Sequence, residues 1–519
     1  MTFALRGRGQ QGSERQIRST SAADRRLVRN TCLTILALVA LRLVAAALTP
    51  LTFDEAYYWL WSKHLAFGYY DHPPMVALVI RAGTMIAGDT ELGVRLVSIL
   101  LALPMSWAVY RTASILFGGV RVAATAAILL NVTLMAAVGT LIVTPDSPLL
   151  VASSFVLFGL AKVLETGRGA WWLAVGAAVG AALLSKYTAL FFGPVILIWL
   201  VMIPKLRRWL VSPWPYLGGL VALLLFSPVI LWNAEHQWVS FIKQIGRARI
   251  EDFRASFIAE LVPTQVAFAT PLVFVLGVMG LYALFRQRAG ASPARVLIES
   301  MFWTITLYFV WHSLHARVEA NWLAPVYPAF AIAAAVAAHL ARWETRGQRV
   351  ADFCLRWASP LGILMFAALI VQANTGWLSG YRRDATVRSV GVGWRELAGE
   401  IEAVRVRVGA TCLLAPDYGT TSWLTFYLPR GSCVVQPTQR IRWVNMPEPA
   451  AELLAGPLLY VDEARPAQPP YLKDRFARIE RVAELPRKRG PLVIETYALD
   501  LLQGPKGEVL DRSPPPELQ

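Results

Sequence analysis

Asp54 and Glu55 close the first long apolar run of the chain, and Asp71-His72-Pro73-Pro74 follows shortly after them. Asp146 stands in Thr144-Pro145-Asp146-Ser147-Pro148 and Lys186 in Ser185-Lys186-Tyr187-Thr188, each at a break between apolar stretches. Glu235, His236, Lys243, Arg247, Arg249, His315, Arg317 and Glu319 occupy connections of the same kind. Ionisable groups this close to hydrocarbon cost several kcal/mol unless they are paired or used. Cations gathered there imply an anionic partner.

Each of these residues also has a plainer reading. Asp54 and Glu55 suit the positive end of a helix dipole, with Tyr57, Tyr58 and Trp59 in an interfacial aromatic belt. Asp146 can cap the helix that it begins, and Lys186 can snorkel to headgroups. Glu235 and His236 read as loop surface, and His315, Arg317 and Glu319 as a salt-bridge cluster. Spacing alone leaves these alternatives open.

The elements that must position these groups are membrane helices. The chain has 519 residues, 56% of them hydrophobic and 16% charged. Its mean hydropathy of +0.47 is too apolar for a soluble protein of this length. The net charge of +16 does not indicate nucleic acid, because the arginines cluster in short connections between apolar runs, where they act as topology signals. The four cysteines show no CxxC or Cys/His metal spacing.

A helix needs roughly 20 apolar residues to span the hydrocarbon. That criterion yields about eleven spans, beginning near Thr31, Glu91, Arg121, Ser147, Trp171, Thr188, Pro215, Pro263, Ala294, Asn321 and Asp352. The fold expected is therefore mostly α, a polytopic helical membrane bundle with a small C-terminal α/β domain. Residues 1–30 form a basic cytoplasmic tail with no signal-cleavage site, 31–372 the transmembrane part with an outer loop at 50–91, and 373–519 the soluble domain. The arginine-rich connections belong to the cytoplasm, which puts the C-terminal domain in the periplasm. Strand-like Thr411–Ala415 and Cys433–Val435 flank a helix-like Ser422–Leu428 there, and Cys412 and Cys433 are as readily a disulfide as two buried thiols.

A first helix ending in Asp54-Glu55-Ala56-Tyr57-Tyr58, followed by Asp71-His72-Pro73-Pro74, resembles the polyprenyl-phosphate-sugar-dependent membrane glycosyltransferases. These are the lipid A aminoarabinose transferase and protein O-mannosyltransferase superfamily, of the GT-C type. The motifs around Asp146 and Lys186, Trp232-Asn233-Ala234-Glu235-His236-Gln237-Trp238, and Glu319 through Pro328 extend the resemblance across Leu33 to Leu340.

The resemblance implies an outward-facing cavity, a polyprenyl-phosphate-linked sugar donor and Asp54 as the central carboxylate. The family often has an acidic residue and a lysine before the two prolines. His72 stands in the lysine's place here, so a phosphate-binding lysine is not implied there. Some relatives hold a metal between that acidic residue and a distant histidine. Asp71 with His236 would imitate the pair; the expectation is against a metal at these two residues, while the sequence leaves a divalent metal cofactor open.

Glycosyl transfer from such a donor passes through an oxocarbenium-like state in which charge builds on a departing phosphate. The roles that follow are Asp54 as base or acceptor-positioning group, Lys186 on the phosphate with help from Arg247, Arg249 or His72, and Asp146 on sugar hydroxyls or orienting Lys186. Glu55, Tyr57, Asp71 and Glu319 complete the expected substrate-binding set. No Walker or GxGxxG loop stands out, in keeping with a lipid phosphate rather than a nucleotide as leaving group. The expected acceptor is an envelope glycolipid, lipid A or lipopolysaccharide core ahead of protein, at the bacterial inner membrane. The competing class, a flippase for lipid-linked sugars, would commonly show two similar halves, and the sequence has no such repeat.

Overall fold

The computed structural model describes residues 21–247, 253–286, 292–377, 384–464 and 470–514. Among the described residues six helices are long and apolar enough to cross a membrane: Ala22–Leu48, Glu91–Phe117, Asp146–Thr166, Pro213–Glu235, Ala320–His339 and Thr345–Thr375. Two bent pairs, Val120–Val132 with Leu134–Leu141 and Ser256–Ala269 with Pro271–Arg286, raise the number to eight if each is one span. Trp171–Ser185 and Tyr187–Met202 are apolar but shorter. The chain is thus a multi-pass membrane protein, and helices lie at all of the expected spans. Several of them are broken or short where the sequence pattern reads as continuous.

The first helix begins at Ala22, ahead of the expected Thr31, because Ser21 accepts a hydrogen bond from the Asp24 N–H (3.0 Å) and starts it inside the basic tail. Close approach in the bundle depends on small residues. A Cβ at Gly176 would lie 2.0 Å from the Gly218 carbonyl oxygen, so helices Trp171–Ser185 and Pro213–Glu235 meet backbone to backbone there.

The C-terminal part forms a five-stranded sheet of order β2-β1-β3-β5-β4. The strands are β1 Cys412–Leu414, β2 Val434–Val435, β3 Leu458–Glu463, β4 Phe476–Arg489 and β5 Leu492–Pro505. β1 is parallel to both β2 and β3, whereas β5 is antiparallel to β3 and β4. Cys412 and Cys433 form a disulfide beside β1 and β2. Helices Trp394–Arg407 and Tyr418–Tyr427 pack apolar side chains with this sheet and with helix Phe53–Lys63.

That shared core is what positions the site. Leu51, just before the acidic pair, accepts hydrogen bonds at its carbonyl from Gly391 N (2.8 Å) and Trp423 Nε1 (3.0 Å). Its own N–H donates to the Tyr427 hydroxyl (3.3 Å), and Thr52 pairs with Val390 in an antiparallel bridge. The segment that follows the membrane helices is in turn held by Arg487. Fully buried, it donates to the carbonyls of Val387, Val390 and Val392 and pairs with Glu495 at 3.0 Å.

Candidate active site

Helix Phe53–Lys63 starts with a reciprocal cap. The Thr52 hydroxyl accepts from Glu55 N (3.2 Å), and the Glu55 carboxylate accepts from Thr52 N (3.0 Å). Glu55 also pairs with Arg95 through two hydrogen bonds of 2.6 and 2.7 Å and accepts from Val143 N at 3.1 Å. Both side chains of the pair are 0% exposed. Glu55, expected among the substrate-binding groups, is instead spent inside the protein, fastening three chain segments together.

Asp54, one residue earlier, remains half-buried, and its Oδ1 accepts a hydrogen bond from the Tyr418 hydroxyl (3.0 Å). Burial raises its pKa to about 6, aided by the nearby charges of Asp71 and Glu55 and opposed by Tyr418 and Arg442. A half-buried carboxylate whose pKa is raised towards neutrality has the character of a general base.

Asp71 is buried among Lys243 (2.7 Å), Arg442 (2.6 Å) and the Tyr57 hydroxyl (3.0 Å). Burial acts to raise its pKa, but Arg442 and Lys243 outweigh it and hold the group at about 2. Both cations lie over the Tyr70 ring, Lys243 Nζ 3.7 Å and the Arg442 guanidinium 5.0 Å from its centre. Two cations thus face one carboxylate. Lys243 arrives because Gln237 and Trp238 adopt left-handed backbone (φ 57° and 58°) and turn the chain from helix Pro213–Glu235 into helix Val239–Arg247.

A second buried pair lies at two helix breaks. Lys186, in extended backbone between Trp171–Ser185 and the 3-10 segment Tyr187–Phe191, reaches both Asp146 oxygens at 2.8 Å. Asn321 donates to Asp146 Oδ2 at 2.6 Å. Neither plainer reading of this pair matches the geometry: Lys186 is buried rather than snorkelled, and the Asp146 side chain makes no cap bond to its own helix.

Beside Asn321 runs an apolar cavity of about 970 Å³ between helices Ser256–Ala269, Pro271–Arg286 and Pro293–His312. Gln265, Trp303, Leu307 and Phe330 line it, together with Leu323 and Val326 from the 3-10 segment that carries Asn321.

The remaining expected residues divide. Tyr57 is buried and its hydroxyl donates to Asp71. His72 is half-buried with its ring 6.4 Å from that of Tyr58. Glu319 is exposed in a surface network with Arg317 and Glu260, and it is Asn321, two residues on, that reaches the cluster. Arg249 and the Arg247 side chain lie outside the described residues.

The Asp71–His236 metal pair does not fit this arrangement. The Asp71 oxygens are taken by two cations and a phenol, whereas His236 stacks on Trp232 and bonds its carbonyl through Nδ1 (2.7 Å). Among the described residues no group of three or more His, Cys, Asp or Glu converges as a metal site.

Sequence reading did not select Lys243, Arg442, Tyr418 or Arg95 as site residues. Lys243 did carry a signal, as a cation in a connection expected on the outer side. Arg442 and Tyr418 had none, since they are brought in from some 370 residues away by the C-terminal part (sequence separations 371 and 364).

Comparison with known proteins agrees with this geometry. The family description "dolichyl-phosphate-mannose-protein mannosyltransferase" matches residues 71–232. Lipid A galacturonosyltransferase RgtD of Rhizobium johnstonii is 28% identical over 296 residues, which is 54% of this chain. The aligned part spans 59% of the length of that relative. ArnT from Cupriavidus metallidurans bound to undecaprenyl phosphate superposes with a TM-score of 0.63 at 17% identity, over 91% of this chain and 98% of that one. The archaeal oligosaccharyltransferase AglB from Archaeoglobus fulgidus gives 0.50 at 12% identity, over 85% and 69%. The acidic motifs, the family description over residues 71–232 and this overall fold all make the chain similar to the glycosyltransferases of the GT-C type.

Proposed function

We propose that the protein transfers a sugar from a polyprenyl phosphate to an envelope glycolipid of the lipid A type, at the periplasmic face of a bacterial inner membrane. The observation that carries this reading is Asp54, accessible and tuned to about 6, beside a cluster in which Lys243 and Arg442 outnumber Asp71. The names of the relatives support it: one acts on lipid A, and another was captured with undecaprenyl phosphate.

In the reaction the bond from the sugar's anomeric carbon to the phosphate oxygen breaks, and its electron pair leaves with the phosphate. The acceptor oxygen bonds that carbon from the opposite face, and its proton passes to Asp54. The phosphate's growing charge falls to Lys243 and Arg442, whose site already carries excess positive charge and needs no reorganisation. Lys186, first expected there, forms a neutral pair with Asp146 and is better suited to hold sugar or acceptor hydroxyls with Asn321. The apolar cavity takes a long hydrocarbon chain such as that of the carrier lipid. Both lipid substrates reach such a site laterally, so a nucleotide pocket has no part in it.

Purified protein, a radiolabelled polyprenyl-phosphate sugar and lipid A in detergent provide the test. Label moving to lipid A, lost in Asp54→Asn, is the expected result. Label moving to protein instead would reassign the acceptor. No transfer to any acceptor, with flipping of the donor across vesicles, would make the protein a carrier.

A further inference from the structure

The C-terminal α/β part meets the proposed site through two side chains described above, Arg442 at Asp71 and Tyr418 at Asp54. Tyr418 opens helix Tyr418–Tyr427, whose start is fixed by Asp417: its side chain accepts from Thr420 N (2.9 Å) and from the Thr420 hydroxyl (2.9 Å). From there the phenol donates to Asp54 Oδ1 at 3.0 Å. The ring sits edge-on to Phe53 (5.9 Å between centroids), tilted against Tyr57 (4.8 Å), and under the Arg442 guanidinium (4.8 Å). Arg442 is itself the partner of Asp71. One side chain therefore touches the base and the cation proposed for the leaving phosphate. The same helix holds Leu51 through Trp423 and Tyr427.

We propose that Tyr418 is the positioning residue through which the C-terminal part orients Asp54, so that the base is assembled only when that part is seated on helix Phe53–Lys63. The inference rests on the glycosyltransferase reading and adds a role for a segment that sequence motifs leave outside the site. With Oδ1 held by the phenol, Oδ2 is the oxygen directed to the acceptor hydroxyl. A hydrogen bond donated to a carboxylate favours its ionised form, so the phenol also keeps Asp54 ready to accept a proton. The other charged or titratable groups around Asp54 are Glu55 and Tyr58 on its own helix, Asp71 on the following loop and Arg442 beside Tyr418. Glu55 is already neutralised by Arg95 and Asp71 by its two cations, which leaves Tyr418 as the direct partner of Asp54 in the hydrogen bonds above.

The test is the pH profile of transfer by full-length Tyr418→Phe, which keeps the ring against Phe53, Tyr57 and Arg442 and removes only the donor. The expected result is an acid limb displaced upward by roughly one pH unit, the scale of a hydrogen bond to a charged group, with kcat lowered and KM for the donor unchanged. An acid limb and kcat equal to wild type would overturn the inference. Loss of thermal stability with an unmoved pH profile would do so as well, since a merely structural tyrosine behaves that way. If the wild type gives no transfer, or Asp54→Asn is fully active, it is the functional reading beneath the inference that fails. A second variant, Trp423→Phe, removes the bond to the Leu51 carbonyl without touching Asp54. Because the base is assembled only when this part is seated, the variant should lower kcat and displace the acid limb in the same direction, and wild-type kcat and acid limb would overturn the seating claim.

Discussion

The Glu55–Arg95 pair separates a structural carboxylate from the proposed base beside it, and Arg95→Met is the perturbation that shows the difference. Arg95 makes two hydrogen bonds to Glu55 and others to the carbonyls of Ala46, Thr49 and Pro50, with nothing exposed to solvent. Removing it leaves a buried carboxylate without its counterion, a loss of about 3–5 kcal/mol. The freed carbonyls place the loss at the upper end of that range. Glu55→Gln should cost a similar amount, because it leaves the guanidinium uncompensated. The double variant Glu55→Leu with Arg95→Met removes both charges and should recover much of the loss, since an apolar pair of similar volume avoids the desolvation penalty. The assay is thermal unfolding in detergent, followed by the midpoint, with donor KM measured on whatever remains folded. Arg95→Met melting with the wild type would refute the reasoning. So would Glu55→Gln with an unchanged midpoint and a raised KM, which would return Glu55 to the substrate.

Transfer by the wild type should fall as pH drops through about 6: Asp54 has its pKa raised, and the proton it gains there removes the base; an activity flat from pH 8 to 5 would contradict this. Lys243→Ala and Arg442→Ala should each lower kcat by about 10²–10³-fold, the usual loss of a preorganised donor, read by single-turnover transfer. Asp71 has its folded pKa depressed to about 2, so the stability it contributes is present above its unfolded pKa near 4 and is lost as pH falls from there towards 2; acid unfolding monitored across that window in wild type and Asp71→Asn should show the variant lacking this transition. Reducing Cys412–Cys433, which spans 21 residues, should destabilise the C-terminal part by about 3 kcal/mol, measured by thermal unfolding with and without a membrane-permeant thiol.

The amino-acid sequence by itself determined the membrane character and the places where charge interrupts apolar runs, because lipid tolerates few patterns and each exception is conspicuous. Asp54, Asp71, Asp146 and Lys186 were legible for that reason, and so were the strand–helix–strand surroundings of Cys412 and Cys433. Which of two adjacent acids is spent on structure was not legible. Asp54 and Glu55 have the same neighbours in sequence, and only the arrival of Arg95 and Val143 N at one of them decides it. The helix breaks likewise depend on packing rather than hydropathy, as the bend at Thr133 shows: Arg42 donates to the Asn131 carbonyl at 2.6 Å just before it. Tyr418 and Arg442 were beyond reach because they enter from a distant segment of ordinary composition. Tertiary structure alone brings a phenol and a guanidinium to carboxylates more than 360 residues away, since contacts of that range are set by how sheet and helices seat on one another and leave no local pattern in the chain.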